Sequence, residues 1–98
     1  MTVRIGINGF GRMGRLVVRA LRHHPQLRLT HINEHRGGVE AAAHLLGFDT
    51  VHGRFPGEVR VDADRLLIDG AVVSFSEHGS PDAIPWEEHG VELVLECT

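Results

Sequence analysis

Three glycines, Gly9, Gly11 and Gly14, stand in the spacing G-x-G-x-x-G within the stretch RIGINGFGRMGR. Glycine has no Cβ, so such a turn lets backbone N–H groups approach a ligand that a side chain would hold off. Where the turn also opens a helix, those amides and the helix dipole together attract an anion. The first turn of the expected helix carries Arg12 and Arg15 and no acid. Helix starts ordinarily collect Asp or Glu, so this positive end stays uncompensated unless an anion sits on it. Twenty residues beyond Gly14 stands Glu34, a carboxylate placed to accept hydrogen bonds from paired ribose hydroxyls. Together these residues point to a dinucleotide, with its pyrophosphate over residues 9–14 and its adenosine ribose at Glu34. The alternative is a plain strand–turn–helix whose glycines serve packing alone.

Glu34 also selects. A carboxylate pairs with hydroxyls and repels a 2′-phosphate, so NAD is the expected cofactor and NADP the second choice. Arg36, two residues later, is the group that could receive a 2′-phosphate.

The elements that must hold these residues follow from periodicity. Residues 2–8, TVRIGIN, alternate around Val3, Ile5 and Ile7 and predict a strand. From Gly11 onward, Met13, Leu16, Val17, Ala20 and Leu21 recur at helical spacing and predict one apolar face. His23-His24-Pro25 ends that helix, because proline disfavours helical geometry at the residue before it. LRLTHIN, 27–33, predicts a second strand, Arg36-Gly37-Gly38 a loop, and Val39, Ala42, Ala43 and Leu46 a second helix. VHGRFPG then predicts a loop, followed by three short strands, EVRVDA, RLLID and AVVSFS, with Asp69-Gly70 as a two-residue hairpin turn. HGSPDAIPW predicts irregular chain with at most one helical turn. VELVLECT, 91–98, is almost continuously apolar and predicts a strand buried on both faces.

The order β-α-β-α, antiparallel insertion, β is the opening half of a doubly wound Rossmann α/β domain. Residues 1–98 are therefore expected to be a partial dinucleotide-binding domain, with the remainder in a longer polypeptide. Composition narrows the partners. Ninety-eight residues with a net charge of −3 give no basic field for nucleic acid or anionic lipid. No apolar run approaches a membrane span and no signal-peptide pattern is present, so a cytoplasmic chain is expected. Its cationic residues are all arginine, which excludes Schiff-base and P-loop lysine chemistry.

Other reactive residue types have plainer readings. The eight histidines include His31 and His35, but these straddle a strand end and a loop without metal-ligand spacing. They are expected as surface or capping residues, with no metal bound. Cys97 is expected to pack as a small apolar residue, and Trp86 to plug the core beneath a loop. Arg15, Arg19 and Arg22 predict a solvated outer helix face or ion pairs with acids elsewhere.

With these residues in view, the chain resembles the N-terminal portion of phosphorylating glyceraldehyde-3-phosphate dehydrogenases. The likeness is carried by INGFGRMGR at 7–15, HLLGFDTVHGRF at 44–55 and LVLECT at 93–98. It implies NAD contacts from Gly9, Phe10, Gly11, Arg12, Met13 and Gly14 at the turn. It implies a ribose contact at Glu34, where the family usually has aspartate after asparagine, and Asn33 matches that asparagine. A further contact is implied at His78, where the family usually has arginine, and another at Thr98. The family oxidises a phosphorylated aldehyde through a cysteine thiohemiacetal, passes hydride to NAD and releases the acyl group to inorganic phosphate, as a homotetramer. The nucleophilic cysteine and its histidine belong to a catalytic portion that these residues do not include, and Cys97 does not match the nucleophile's motif. Departures at HINEHRGGVEAA resemble a branch found with arsenic-resistance genes and described as using arsenate; erythrose-4-phosphate dehydrogenase is a further relative. Two functions thus stand side by side: the cofactor half of such an oxidoreductase, and a nucleotide-binding or interaction module without catalysis.

Overall fold

The computed structural model describes residues 2–49 and 53–98. Strand β1 (Val3–Asn8) runs into the glycine turn and helix α1 (Arg12–Leu21), then β2 (Leu27–Asn33) and α2 (Gly38–Gly47). Next come β3 (Phe48–Asp49), β4 (Gly53–Arg54), β5 (Val59–Asp62), β6 (Arg65–Ile68) and β7 (Ala71–Ser76), and finally β8 (Leu93–Glu96). Single 3₁₀ turns lie at Pro81–Ala83 and Glu87–His89. Six strands form one sheet in the order β5-β6-β7-β2-β1-β8. β7, β2, β1 and β8 are parallel neighbours, whereas β5, β6 and the start of β7 are antiparallel. The chain leaves β1 for β2 on one side and later returns to β1's other side as β8. Such a reversal opens a crevice at the carboxyl ends of the strands.

Alternation along β1 decides what each sheet face carries. A Cβ added at Gly14 of α1 would stand 3.4 Å from Ile7 Cγ2, whereas one at Gly6 would collide with the Trp86 ring and Val91. Successive strand residues point to opposite faces, so α1 covers the face of Ile7 and the segment around Trp86 covers the face of Gly6. Trp86 is the plug the sequence predicts. Ile5, Ile7, Ile32, Leu46, Leu66 and Val73 make up the fully buried apolar core.

Three expectations about these elements need correction. α1 buries Gly14 and Val18, while Met13 is 60% exposed. The absence of a side chain at Gly14 draws that edge of the helix onto β1 and turns Met13 outward, while Val17 still packs against the core. Gly53-Arg54, expected as loop, pairs with Phe48-Asp49 in a short antiparallel ribbon; residues 50–52 of the 44–55 motif lie outside the described residues. The expected three-strand antiparallel insertion joins the main sheet through β7, which turns from antiparallel pairing with β6 to parallel pairing with β2. β8 is a sheet-edge strand with Leu93 49% exposed, where burial on both faces was expected. The Asp69-Gly70 turn has positive φ at both residues, 52° and 82°, as the hairpin requires.

The helix arginines face inward as much as outward. Arg19 donates to the carbonyls of Leu46 and Gly53 at 3.1 and 2.7 Å, and Arg22 pairs with Asp69 at 2.9 Å. Both guanidinium groups lie over the Phe55 ring, at 5.6 and 5.0 Å. The ion-pair part of the expectation is met by Arg22; the solvated face is not.

His31 departs most from its expected surface or capping role. It is fully buried on β2, opposite Gly6, between the hydroxyls of Ser74 and Ser76, each 2.7 Å from a ring nitrogen. The ring stacks on His89 at 3.9 Å and meets the Trp86 ring edge-on at 5.5 Å. Burial, with like charge from His89 and then His78 added, lowers its pKa from 6.5 to about 4. A base held neutral in the fold stabilises it fully above the unfolded value, and that stability is lost as pH falls from 6.5 towards 4. We expect the intact protein to lose about 2 kcal/mol, relative to a His31→Gln variant, between pH 7.5 and pH 5. Urea unfolding of both proteins at the two pH values checks this, and a constant difference would show that His31 does not titrate on unfolding.

Candidate functional site

The site begins where β1 ends. Gly9 has φ 97°, a left-handed conformation that side chains resist, and the β8 end at Cys97 and Thr98 crosses close above it. A Cβ at Gly14 would run into the Gly9 carbonyl oxygen, so the third glycine lets the helix sit down on the turn. Gly11 is the N-cap of α1; no side chain caps the helix and no acid lies in its first turn. The first intrahelical bond is Arg15 N–H to Gly11 C=O, at 3.0 Å. The amides of the first helical turn before Arg15 therefore have no partner within the helix.

The N-cap Gly11 and the turn's Gly9 line a cavity of about 620 Å³ at the carboxyl ends of β1, β2 and β8. Of the residues predicted from sequence, Gly9, Gly11, Asn33, Glu34, His78 and Thr98 line it. Phe10, Arg12, Met13 and Gly14 do not. The Phe10 ring is in the core at 2% exposure, so only its backbone faces the turn, and Gly14 is buried beneath it. Arg12 and Met13 stand exposed at the helix start.

Glu34 follows directly on β2 and reaches back to the turn. Its two carboxylate oxygens accept the N–H of Phe10 at 2.7 Å and of Arg36 at 3.1 Å. Each oxygen has a further lone pair for a ligand hydroxyl. Beneath the cavity runs a buried amide chain whose orientation is fixed at both ends. Asn33 Oδ1 accepts the N–H of His78 at 2.9 Å and Asn33 Nδ2 donates to its C=O at 3.0 Å. The same Nδ2 donates to Asn8 Oδ1 at 3.0 Å, and Asn8 Nδ2 in turn donates to both Glu96 oxygens, at 3.0 and 3.1 Å. Thr98 Oγ1 donates to Glu96 at 2.8 Å. The His78 peptide and the Thr98 hydroxyl are thus tied to one polar seam.

Sequence reasoning missed Asn8 and Glu96, which also line the cavity. The signal that could have found them is position, since each is the last residue of a parallel strand that ends at the crevice. Cys97 lines the cavity half-buried, and burial, then the Glu96 charge, pushes its thiol pKa up. A thiol held protonated is a poor nucleophile. Among the described residues no group of three His, Cys, Asp or Glu side chains converges for a metal, and no helix is long and apolar enough to cross a membrane.

The two glycines of the helix start should separate by substitution. Gly14→Ala must push the helix off the Gly9 carbonyl and is expected to lose about 1–3 kcal/mol of stability. Gly11→Ala meets nothing within 4 Å at a φ of −76° and should lose under about 1 kcal/mol. Denaturant unfolding of the two variants compares them; equal losses would contradict the close contact at Gly14.

Comparison with known proteins agrees with this geometry. The family profile described as glyceraldehyde 3-phosphate dehydrogenase, NAD binding domain, matches residues 3–98. Glyceraldehyde-3-phosphate dehydrogenase 3 of Nostoc sp. is 61% identical over 98 residues, covering all of this chain and 29% of its own length. The glyceraldehyde-3-phosphate dehydrogenases of Pseudomonas aeruginosa and Claviceps purpurea are 46% and 43% identical, again over the whole chain and over 30% and 29% of their own lengths. The chain spans less than a third of the length of these curated relatives. On the profile and these identities, the chain belongs to the glyceraldehyde-3-phosphate dehydrogenase family, in its NAD-binding domain.

Proposed function

We propose that this chain seats NAD across the carboxyl ends of β1, β2 and β8, with the pyrophosphate over residues 9–14 and the adenosine ribose at Glu34. The observation that carries this is the helix start itself, uncapped, free of acids and open to a 620 Å³ cavity beside Glu34. The site fits the cofactor's charge. Bare amides and the dipole of a ten-residue helix meet the pyrophosphate, Gly11 leaves room for it, and Glu34 keeps lone pairs for two hydroxyls. His78 and Thr98 flank the same cavity, and Asn33 forms its floor.

The protein that carries this chain is proposed to be an oxidoreductase acting on a small phosphorylated aldehyde, with inorganic phosphate, or arsenate as in the arsenic-linked branch, as the acyl acceptor. When bound, NAD supplies the hydride acceptor. The chain's own residues bind and orient it, and the nucleophile belongs to residues beyond these. A cytoplasmic homotetramer completes the proposal, on family likeness alone.

Arg36 favours a second reading, since it lines the same cavity and is a cation within reach of a 2′-phosphate. Glu34→Gln separates the two. Glutamine keeps an oxygen for the Phe10 N–H but removes the charge that repels a 2′-phosphate. Calorimetry on the intact protein is expected to show NAD preferred over NADP, with that preference narrowed about ten-fold in the variant. An unchanged ratio would remove Glu34 as the reader of the ribose, and a wild-type preference for NADP would favour Arg36.

A further inference from the structure

The buried histidine that the cofactor reading leaves unused is joined to the cavity by one hydroxyl. We propose that His31 is a positioning residue for the cofactor cavity, acting through Ser76 on the amide of Asn33. The proposal rests on the cofactor reading for its consequence, but its mechanism is a matter of counting hydrogens.

Ser76 Oγ lies 2.7 Å from His31 Nε2 and 2.7 Å from Asn33 Oδ1. Asn33 Oδ1 is the carbonyl oxygen and not the amide nitrogen, because it accepts the N–H of His78. Two oxygens at 2.7 Å need a hydrogen between them, and only Ser76 has one to give. The Ser76 hydrogen therefore points at Asn33, so Ser76 accepts from His31, and His31 carries a hydrogen on Nε2. Burial keeps the imidazole neutral at ordinary pH, which leaves Nδ1 bare; the single Ser74 hydrogen, donated to the Thr30 carbonyl at 3.0 Å, is then shared with Nδ1 at 2.7 Å in a three-centre bond. The geometry thus assigns His31 the Nε2–H tautomer and one direction of donation: His31 to Ser76 to Asn33.

The two serines then have unequal consequences. Ser74 leads away from the cavity, donating to the Thr30 carbonyl at 3.0 Å and lying 3.3 Å from His89 Nδ1. Ser76 leads to Asn33, whose amide holds the His78 peptide on one side and Asn8, and through it Glu96, on the other. Asn33 is 2% exposed, and its orientation sets the cavity floor between the Glu34 and Glu96 sides. If Ser76 turned its hydrogen to His31, it would face Asn33 Oδ1 with a lone pair at 2.7 Å and force the amide to shift. The tautomer of a side chain outside the cavity thereby sets the shape of its base.

The test uses the intact protein and four variants. In ¹⁵N spectra the His31 ring should report a protonated Nε2 and a bare Nδ1. Ser76→Ala should speed hydrogen exchange of the Asn33 side-chain amide and weaken NAD about five-fold, the equivalent of one neutral hydrogen bond. Ser74→Ala, which also removes a His31 partner, should leave both within two-fold while lowering thermal stability comparably. His31→Gln, whose amide N–H reaches where Nε2 stands, should keep NAD affinity within about two-fold, whereas His31→Leu should lose it as Ser76→Ala does. An Nδ1–H tautomer, equal effects of the two serine variants, or an undisturbed Asn33 amide in Ser76→Ala would overturn the proposal, as would a loosened amide with unchanged NAD affinity. A wild-type protein that refuses NAD would overturn the cofactor reading instead, and the tautomer and Asn33 amide would still decide the relay.

Discussion

The contact between Gly14 and the Gly9 carbonyl is the constraint on which this fold's chemistry depends. It exists only because Gly14 has no side chain, and it seats α1 directly on the end of β1. Once the helix is there, the amides before Arg15 have no partner within the helix. No side chain caps them, and the first turn of the helix holds no acid. An arrangement that looks like an omission in a structural helix becomes sensible when an anion completes it.

Around that corner the protein fixes position with hydrogen bonds rather than bulk. Glu34 ties the end of β2 to the turn through Phe10. The seam of Asn33, Asn8 and Glu96 ties β2, β1 and β8 together at the same level. Every amide in that seam has a single allowed orientation, because a peptide stands at one end and a carboxylate at the other. Such a network is rigid when fully satisfied and costly when one partner is lost. That suits the base of a binding cavity better than an apolar core would.

Much of this was legible in the chain itself, where the determinants are local. Alternation at Val3, Ile5 and Ile7 announced β1, LRLTHIN coincided with β2, and Asp69-Gly70 marked its hairpin. The glycine spacing and Glu34 located the corner because the βαβ unit sets their separation. What stayed hidden depends on distant partners. His31 reads as a polar residue near a strand end, and only serines 43 and 45 residues away explain its burial. Asn8 meets Glu96 across 88 residues. The Ala63 turn, at φ 56°, carries no residue that advertises a left-handed conformation. β8 reads as buried because its side chains are apolar, but pairing on only one side is a property of the sheet and not of the strand.

The central claim is that backbone amides at the β1–α1 turn hold a dinucleotide's pyrophosphate. Titrating NAD into the ¹⁵N-labelled intact protein and following its amide resonances tests that claim most directly. The account predicts that the largest downfield shifts fall on Gly11, Arg12 and Met13 and saturate together. Saturation by NAD with those three amides unmoved would contradict it.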